Sequence, residues 1–251
     1  MSRKLKLENR RKAILDALAV SGKVSVTKLS QELDTTPITI RSDLNAMAQE
    51  GLLIRVQGGA VSAPNAKTAG SMQPANLKEK KTLAAAVAKI IKDGDTLFIN
   101  SGTTVEQVAA ALEVHSNINI VTNSLSVATI AGEIPSFRVI LLGGEINSQF
   151  GFTYGGDALS QLENYTANWA ILSVDGINVS CGITTCHAEE ALVNRAMINN
   201  ARKTMIVADH TKIGKAGFAR VCDKLDNVQV VTNSTDVADL VKNNIPVITV
   251  E

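Results

Sequence analysis

The sequence predicts an α/β chain in two parts, a winged helix-turn-helix followed by an open, mostly parallel α/β sheet domain. Three observations carry this expectation. Three short amphipathic helices and a Gly-Gly hairpin fall within residues 1–61. The stretch SAPNAKTAGSMQP then opens a linker over 62–75, rich in Ala, Ser and Pro. From residue 76 to 251, short apolar runs alternate with helical patterns, as strands buried on both faces of a parallel sheet would require.

In the first part, Ile14, Leu15 and Leu18 recur at helical spacing, and Gly22 is a stop. Val26, Leu29 and Leu33 mark one face of a second helix, and Asp34-Thr35 a tight turn. Thr36 is a good N-cap and Pro37 suits a first helical position, where its missing N–H costs nothing. The third helix therefore starts at the proline and stops at Gly51. On its wheel Ile40, Leu44 and Met47 face the core, while Ile38, Arg41, Ser42 and Asn45 face outward. An arginine, a hydroxyl, an amide and an aliphatic group suit base edges and thymine methyls in a major groove. LLIRVQGGAV then reads as a hairpin turning at Gly58-Gly59, a wing from which Arg55 is expected to reach phosphate or minor groove.

Charge supports the division. Residues 1–61 hold ten Lys and Arg against six Asp and Glu, a balance of +4. Residues 62–251 hold fifteen against eighteen, −3, and the sum is the chain's +1. A basic head on an acidic body fits polyanion binding by the head. No apolar run is long enough to span a membrane, and the basic start MSRKLKLENRRK has no apolar stretch behind it. A cytoplasmic location without membrane contact is expected. Cys181, Cys186 and Cys222 show no disulfide framework and read as free thiols; no metal or cofactor is expected.

In the second part NLKEKKTLAAAVAKIIKDGD is an amphipathic helix, and TLFIN, INIVTN, FRVILLGG, NWAILSVDG, TMIVADH, NVQVVTN and PVITV are strands. FINSGTTVEQVAAAL is a strand, a small-residue loop and a helix. Helix-start N–H groups, hydroxyls of Ser101, Thr103 and Thr104, and the small Gly102 make a phosphate cradle there. Thr122-Asn123-Ser124, Gly143-Gly144, Asp175-Gly176 and Asp209 with Lys212 end other strands, and such ends line one crevice in an open α/β sheet. Lys212 is the candidate cation, and Glu189 or Glu190 could accept sugar hydroxyls.

TTPITIRSDLNAMAQEGLLIRVQGGA resembles the N-terminal signature of the DeoR family of bacterial sugar-catabolism regulators, through Thr39-Ile40-Arg41, Asp43-Leu44, Gly51, Arg55 and Gly58-Gly59. NSGTT, TNS, GGE, VDGI and ADHTKIG are similar to the family's effector-domain motifs. The resemblance implies a second domain related in fold to sugar-phosphate isomerases, binding a phosphorylated sugar and assembling dimers or tetramers. It carries effector roles to Ser101, Gly102, Thr103, Thr104, Thr122, Asn123, Asp175, Gly176, Glu190 and Lys212. Three positions depart from the family pattern: Ser42 replaces a second basic residue, Asn100 stands where Asp is common, and Asn147 near where a basic residue often follows.

Three functions follow. The first is a repressor of a carbohydrate-catabolism operon, bound to double-stranded operator DNA as a homo-oligomer and released by a phosphorylated sugar. The second is a sugar-phosphate isomerase or deaminase with a DNA-binding head; Asp175, Glu189 and Glu190 could be bases, yet no compact acid/base constellation is visible. The third is a DNA-binding protein whose second domain only assembles it. The first is favoured.

Overall fold

The computed structural model describes residues 10–18, 23–49, 52–56, 58–62, 76–223, 225 and 227–250. It divides into two compact units, Met1–Gln73 and Pro74–Glu251. The expected stops at Gly22 and Gly51, and linker residues 63–75, lie outside the described residues.

In the first unit a helix over 10–18 (α1) precedes β1 (Lys23–Ser25), α2 (Val26–Glu32), α3 (Pro37–Gln49), β2 (Leu53–Val56) and β3 (Gly59–Ser62). Ile14, Leu18, Val26, Leu29, Ile40, Leu44, Met47 and Leu53 form its core. Each fully buried Leu or Ile contributes about 1.5–3 kcal/mol relative to exposure. Ser25 caps α2, accepting the Lys28 N–H at 3.1 Å. β1, which the sequence did not signal, adds to the hairpin to give the order β1-β3-β2. It corrects the expected Gly-Gly turn. Gly58 turns the chain at φ 78°, but Gly59 already pairs with Val56 and Ser25. A Cβ on Gly59 would lie 1.9 Å from the Val24 carbonyl oxygen, so β1 can approach only a glycine. Ser62, expected in the linker, pairs with Leu53 as the last residue of β3.

The second unit is built on β4 (Thr96–Ile99), β5 (Asn119–Thr122), β6 (Arg138–Leu141), β9 (Ala167–Leu172), β12 (Ala201–Val207), β14 (Val228–Thr232) and β15 (Val247–Thr249). These seven strands are all parallel, in the order β15-β14-β12-β9-β4-β5-β6. Alternate strand residues feed two cores: Phe98, Val121, Leu172 and Ile206 on one face, Leu97, Ile99, Ile120 and Met205 on the other. Burial on both faces explains the near-continuous apolar runs. α4 (Leu77–Ala88), α5 (Thr103–Ala111) and α6 (Leu125–Gly132) pack Leu83, Val87, Val105, Val108 and Val127 into the second core.

The chain runs outward from β4 through β5 to β6, then returns to β9 on the other side of β4. The reversal opens a crevice at the carboxyl ends of β4 and β9, the place where open α/β sheets bind ligands. Two antiparallel pieces escaped the sequence. The hairpin β7 (Glu145–Asn147) and β8 (Phe152–Tyr154) folds over the carboxyl end of β5. There Thr153 donates its N–H to the Asn123 carbonyl at 2.8 Å. α7 (Gly156–Leu162) follows, and then β10 (Gly176–Asn178), β11 (Gly182–Thr185) and β13 (Ala219–Cys222) form a small sheet. α8 (Ala188–Asn199) leads into β12, and α9 (Ala238–Lys242) into β15.

Candidate functional site

The first candidate surface is the outer face of α3. Ile40, Leu44 and Met47 are fully buried, whereas Ile38 is 75% exposed, with Arg41, Ser42 and Asn45 exposed beside it. Thr36 caps the helix: its hydroxyl accepts the Thr39 N–H at 3.2 Å and meets the Thr39 hydroxyl at 2.9 Å. Both threonines therefore fix where α3 begins. Buried Asp43 binds Arg10 through two contacts, its Oδ1 at 3.2 Å from Nη2, which anchors α1 to α3. On the wing Ile54 and Val56 are exposed.

Arg55 has partners within its own unit. Its Nε donates to Asn45 Oδ1 at 2.9 Å and its Nη1 to the Gly59 carbonyl. The guanidinium is turned onto its own domain, joining wing to helix and holding one amide of the outer face. A planar fork of N–H donors suits such a brace. Gly58 and Gly59 likewise shape the wing and its sheet.

The second candidate surface is the β4–β9 crevice. Asn100 is fully buried; its Nδ2 donates to the Ser173 carbonyl and its Oδ1 accepts the Ser173 N–H, each at 2.9 Å. It stitches the two strand ends together, and its side chain is spent within the fold. Gly102 sits at φ 138°, where an added Cβ would lie 2.2 Å from Ser173 Oγ. Thr103 and Thr104 open α5, whose first N–H groups have no intrahelical acceptor and point to the crevice end of the strands. Lys80, on α4, donates its Nζ to Thr103 Oγ1 at 3.0 Å and is itself only 8% exposed. A buried ammonium beside a helix start places positive charge where an anion is favoured.

Beside it stands a carboxylate pair. Glu190 is buried and accepts from Ser101 Oγ at 2.8 Å and Thr185 Oγ1 at 2.6 Å. Burial pushes its carboxyl above the ordinary glutamate value, partly offset by those two hydroxyls. Asp175 is also pushed up by burial, but the Cys186 N–H at 2.8 Å and Lys212 Nζ at 3.3 Å outweigh this and hold it below the usual range. Thr185 lies 3.2 Å from Asp175 Oδ2 as well, so one hydroxyl stands between the two carboxylates. Hydroxyls, two carboxylates and two lysines at a small-residue loop can bind a polyhydroxylated anion. Gly176 lies just behind, its carbonyl accepting from Thr184 Oγ1.

Other expected side chains do not reach the crevice. Thr122 is fully buried and accepts the Ser124 N–H; Ser124 caps α6 by accepting the Val127 N–H. Asn123, beneath the β7–β8 hairpin, donates to the Thr153 carbonyl at 2.9 Å. Gly143 donates its N–H to Gln161 Oε1, and Gly144 lies against the Tyr154 carbonyl. The unforeseen hairpin is the physical reason: it covers the end of β5. Conversely, Lys80 and Thr185 were missed. Lys80 hides in the charge run KEKK, which reads as a solvated face, and Thr185 lies on a strand without a periodic signal. Glu79, next to Lys80, accepts from Asn233 at 2.9 Å and contacts His210 at 3.3 Å, so the first turn of α4 meets the segments that follow β14 and β12.

A separate groove of 730 Å³ lies at the amino-terminal ends of β9, β12 and β14, where Lys203 stands 5.2 Å above the Trp169 ring. It holds none of the candidate residues. Cys181, Cys186 and Cys222 are not joined in disulfides. Among the described residues no cluster of His, Cys, Asp and Glu could hold a metal, and no helix is long and apolar enough to cross a membrane.

Two family models match: the DeoR-like helix-turn-helix domain over residues 10–65 and the DeoR C terminal sensor domain over 75–226. The chain belongs to the DeoR family. It is 36% identical to a glycerol-3-phosphate regulon repressor from Escherichia coli, over 84% of each chain. It is 35% identical to the transcriptional repressor CsqR of the same organism, over 87% of this chain and 83% of that one. Among solved structures it is similar to ribose 5 phosphate isomerase A from Neisseria gonorrhoeae, at TM-score 0.41 and 14% identity over 53% and 52% of the two chains. Likeness at that level bears on no residue of the crevice. The helix-turn-helix match of this DeoR chain thus runs from α1 through β3, and the sensor-domain match from α4 through β13.

Proposed function

We propose that this DeoR protein is a cytoplasmic repressor of a carbohydrate-catabolism operon, released from double-stranded operator DNA by a phosphorylated sugar. The outward face of Ile38, Arg41, Ser42 and Asn45 on α3 carries the DNA half of this reading. Arg41 would read a guanine edge and Ile38 a thymine methyl, with Asn45 held ready by Arg55. One winged helix reads few base pairs, so a homo-oligomer placing two heads on two half-sites is part of the proposal.

For the sensor half, the phosphate would sit at the start of α5, between Ser101, Gly102, Thr103, Thr104 and Lys80, with Lys212 at the far wall. Asp175 and Glu190 would take sugar hydroxyls. The glycerol-3-phosphate regulon repressor among its relatives supports a phosphorylated effector. A ligand weakens DNA binding only if it binds the non-operator state more tightly. Lys80 would carry such a difference: it bonds Thr103 at the start of α5, where the phosphate would sit, and α4 is the first described element after the linker.

One observation favours a second reading. A glutamate of raised pKa beside an ionised aspartate and a lysine is also how a sugar-phosphate isomerase or deaminase would place acid and base. We favour the non-enzymatic role because the relatives that match most of the chain are named as repressors. The test pairs two assays on the full chain: anisotropy on DNA upstream of its own and neighbouring operons, and a turnover screen with aldose, ketose and amino-sugar phosphates. Specific DNA binding without turnover is expected. Turnover lost in Glu190→Gln would establish the enzyme instead.

A further inference from the structure

Phe150 is an aromatic side chain without a packing reason for its place. It is 42% exposed, while Phe152, two residues on, is 1% exposed. Yet it is firmly held. Its N–H donates to Asn147 Oδ1 at 3.2 Å, the Gly151 N–H to the Asn147 carbonyl at 2.8 Å, and the Leu125 N–H to the Gly151 carbonyl at 3.0 Å. The ring lies against His187, centroids 4.3 Å apart and planes at 49°, and His187 also neighbours Phe152 at 6.0 Å. His187 is a crevice residue by position: Cys186 before it holds Asp175, and Glu190 lies one turn after it on α8. A fixed, half-open aromatic therefore lies against the residue that starts α8, the helix that carries Glu190.

We propose that Phe150 is a specificity-determining residue that stacks on the C–H face of a ring-form sugar, so that this chain selects a cyclic sugar phosphate over an open-chain polyol phosphate. This rests on the sugar-phosphate reading of the crevice. The polar floor of Ser101, Asp175, Glu190 and Lys212 recognises hydroxyls and phosphate, which both ligand types carry. A pyranose directs its hydroxyls to its edge and leaves an apolar C–H face. An aromatic ring covers such a face without stripping hydroxyls of water. An extended polyol has no continuous face to cover. Because the 147–151 loop is already fixed, little ordering is lost when the ligand arrives. Exposed Leu125, Leu141 and Ile146 belong to neighbouring elements, and a subunit contact of Phe150 with them is the rival outcome.

The test is calorimetric titration of the full chain with inorganic phosphate and two matched pairs: glucose 6-phosphate against sorbitol 6-phosphate, and ribose 5-phosphate against ribitol 5-phosphate. Sedimentation is followed in parallel. Wild type is expected to prefer one ring form by about tenfold, the scale a change in apolar contact supplies. Phe150→Ala should abolish that preference by weakening only the ring form, and Phe150→Tyr should retain it. No preference in wild type, a preference untouched by Phe150→Ala, or an oligomer dissociated by it would each overturn the inference. If neither phosphate nor any sugar phosphate binds, the sugar-phosphate reading itself fails, and this inference with it.

Discussion

The two units differ in how their candidate residues are positioned. In the helix-turn-helix the candidate surface is one face of one helix, and exposure alone picks it out: Ile38, Arg41, Ser42 and Asn45 are out, Ile40, Leu44 and Met47 in. In the sensor unit the crevice is assembled from ends of strands far apart in sequence, and exposure misleads. Its motif residues Asn100, Thr122 and Asn123 are fully buried and hold loops, while buried Lys80 and Glu190 bear the charges. A surface that reads a long rigid partner can be local. A surface that encloses a small anion must converge.

The largest expected effect separates the units cleanly. Arg41→Ala should remove one bidentate base contact, about 1–3 kcal/mol of discrimination, and abolish operator preference in anisotropy while ligand binding stays intact. Unchanged specificity would remove α3 from its role. In the sensor unit Gly102→Val forces a side chain onto φ 138° and against Ser173 Oγ, whose own bond to the Ser101 carbonyl is 2.9 Å. The backbone cost alone is about 1–3 kcal/mol, read as a lower midpoint in urea. An unchanged midpoint would show that the β4 and β9 ends do not need each other.

Lys80→Ala asks whether the crevice reports to DNA. Operator affinity without ligand should stay near wild type, and release by sugar phosphate should be lost. Full inducibility would leave the role to Lys212 alone. Arg55→Ala is expected to be milder, about 1 kcal/mol of DNA affinity, because it frees Asn45 but removes no base contact of its own.

The smallest effect is on pH. Glu190 has a raised carboxyl pKa in the fold, through burial, so the folded state takes its proton more readily than the unfolded one. Its share of stability is present below the ordinary glutamate range and lost as pH rises through the folded value. Asp175, held low, runs oppositely: its share is present above the ordinary aspartate range and lost as pH falls through its folded value. Glu190→Gln should therefore flatten the fall of Tm with rising pH just above the glutamate range. A slope identical to wild type would place the burial cost elsewhere.

These contrasts also explain what could be read from the sequence. Helix spacing, the Thr36-Pro37 start and the apolar strands are local patterns, and the winged helix and seven parallel strands follow from them. The β7–β8 hairpin and the β10-β11-β13 sheet are short, antiparallel and held by tertiary contacts, so they left no period to detect. That omission spread to the crevice: without the hairpin, Asn123 looked free to meet a ligand, and without β11 the bridge from Thr185 to Glu190 had no place. Arg55 was read as a wing arginine from its neighbours alone, whereas its partner Asn45 lies ten residues away on α3.

The most direct test of the account is a titration of the protein–operator complex with phosphorylated sugars and their free counterparts, followed by anisotropy at fixed salt. The account predicts that one phosphorylated sugar releases the DNA while its unphosphorylated form does not. Release by the free sugar at equal concentration, or tight binding that no sugar phosphate loosens, would contradict it.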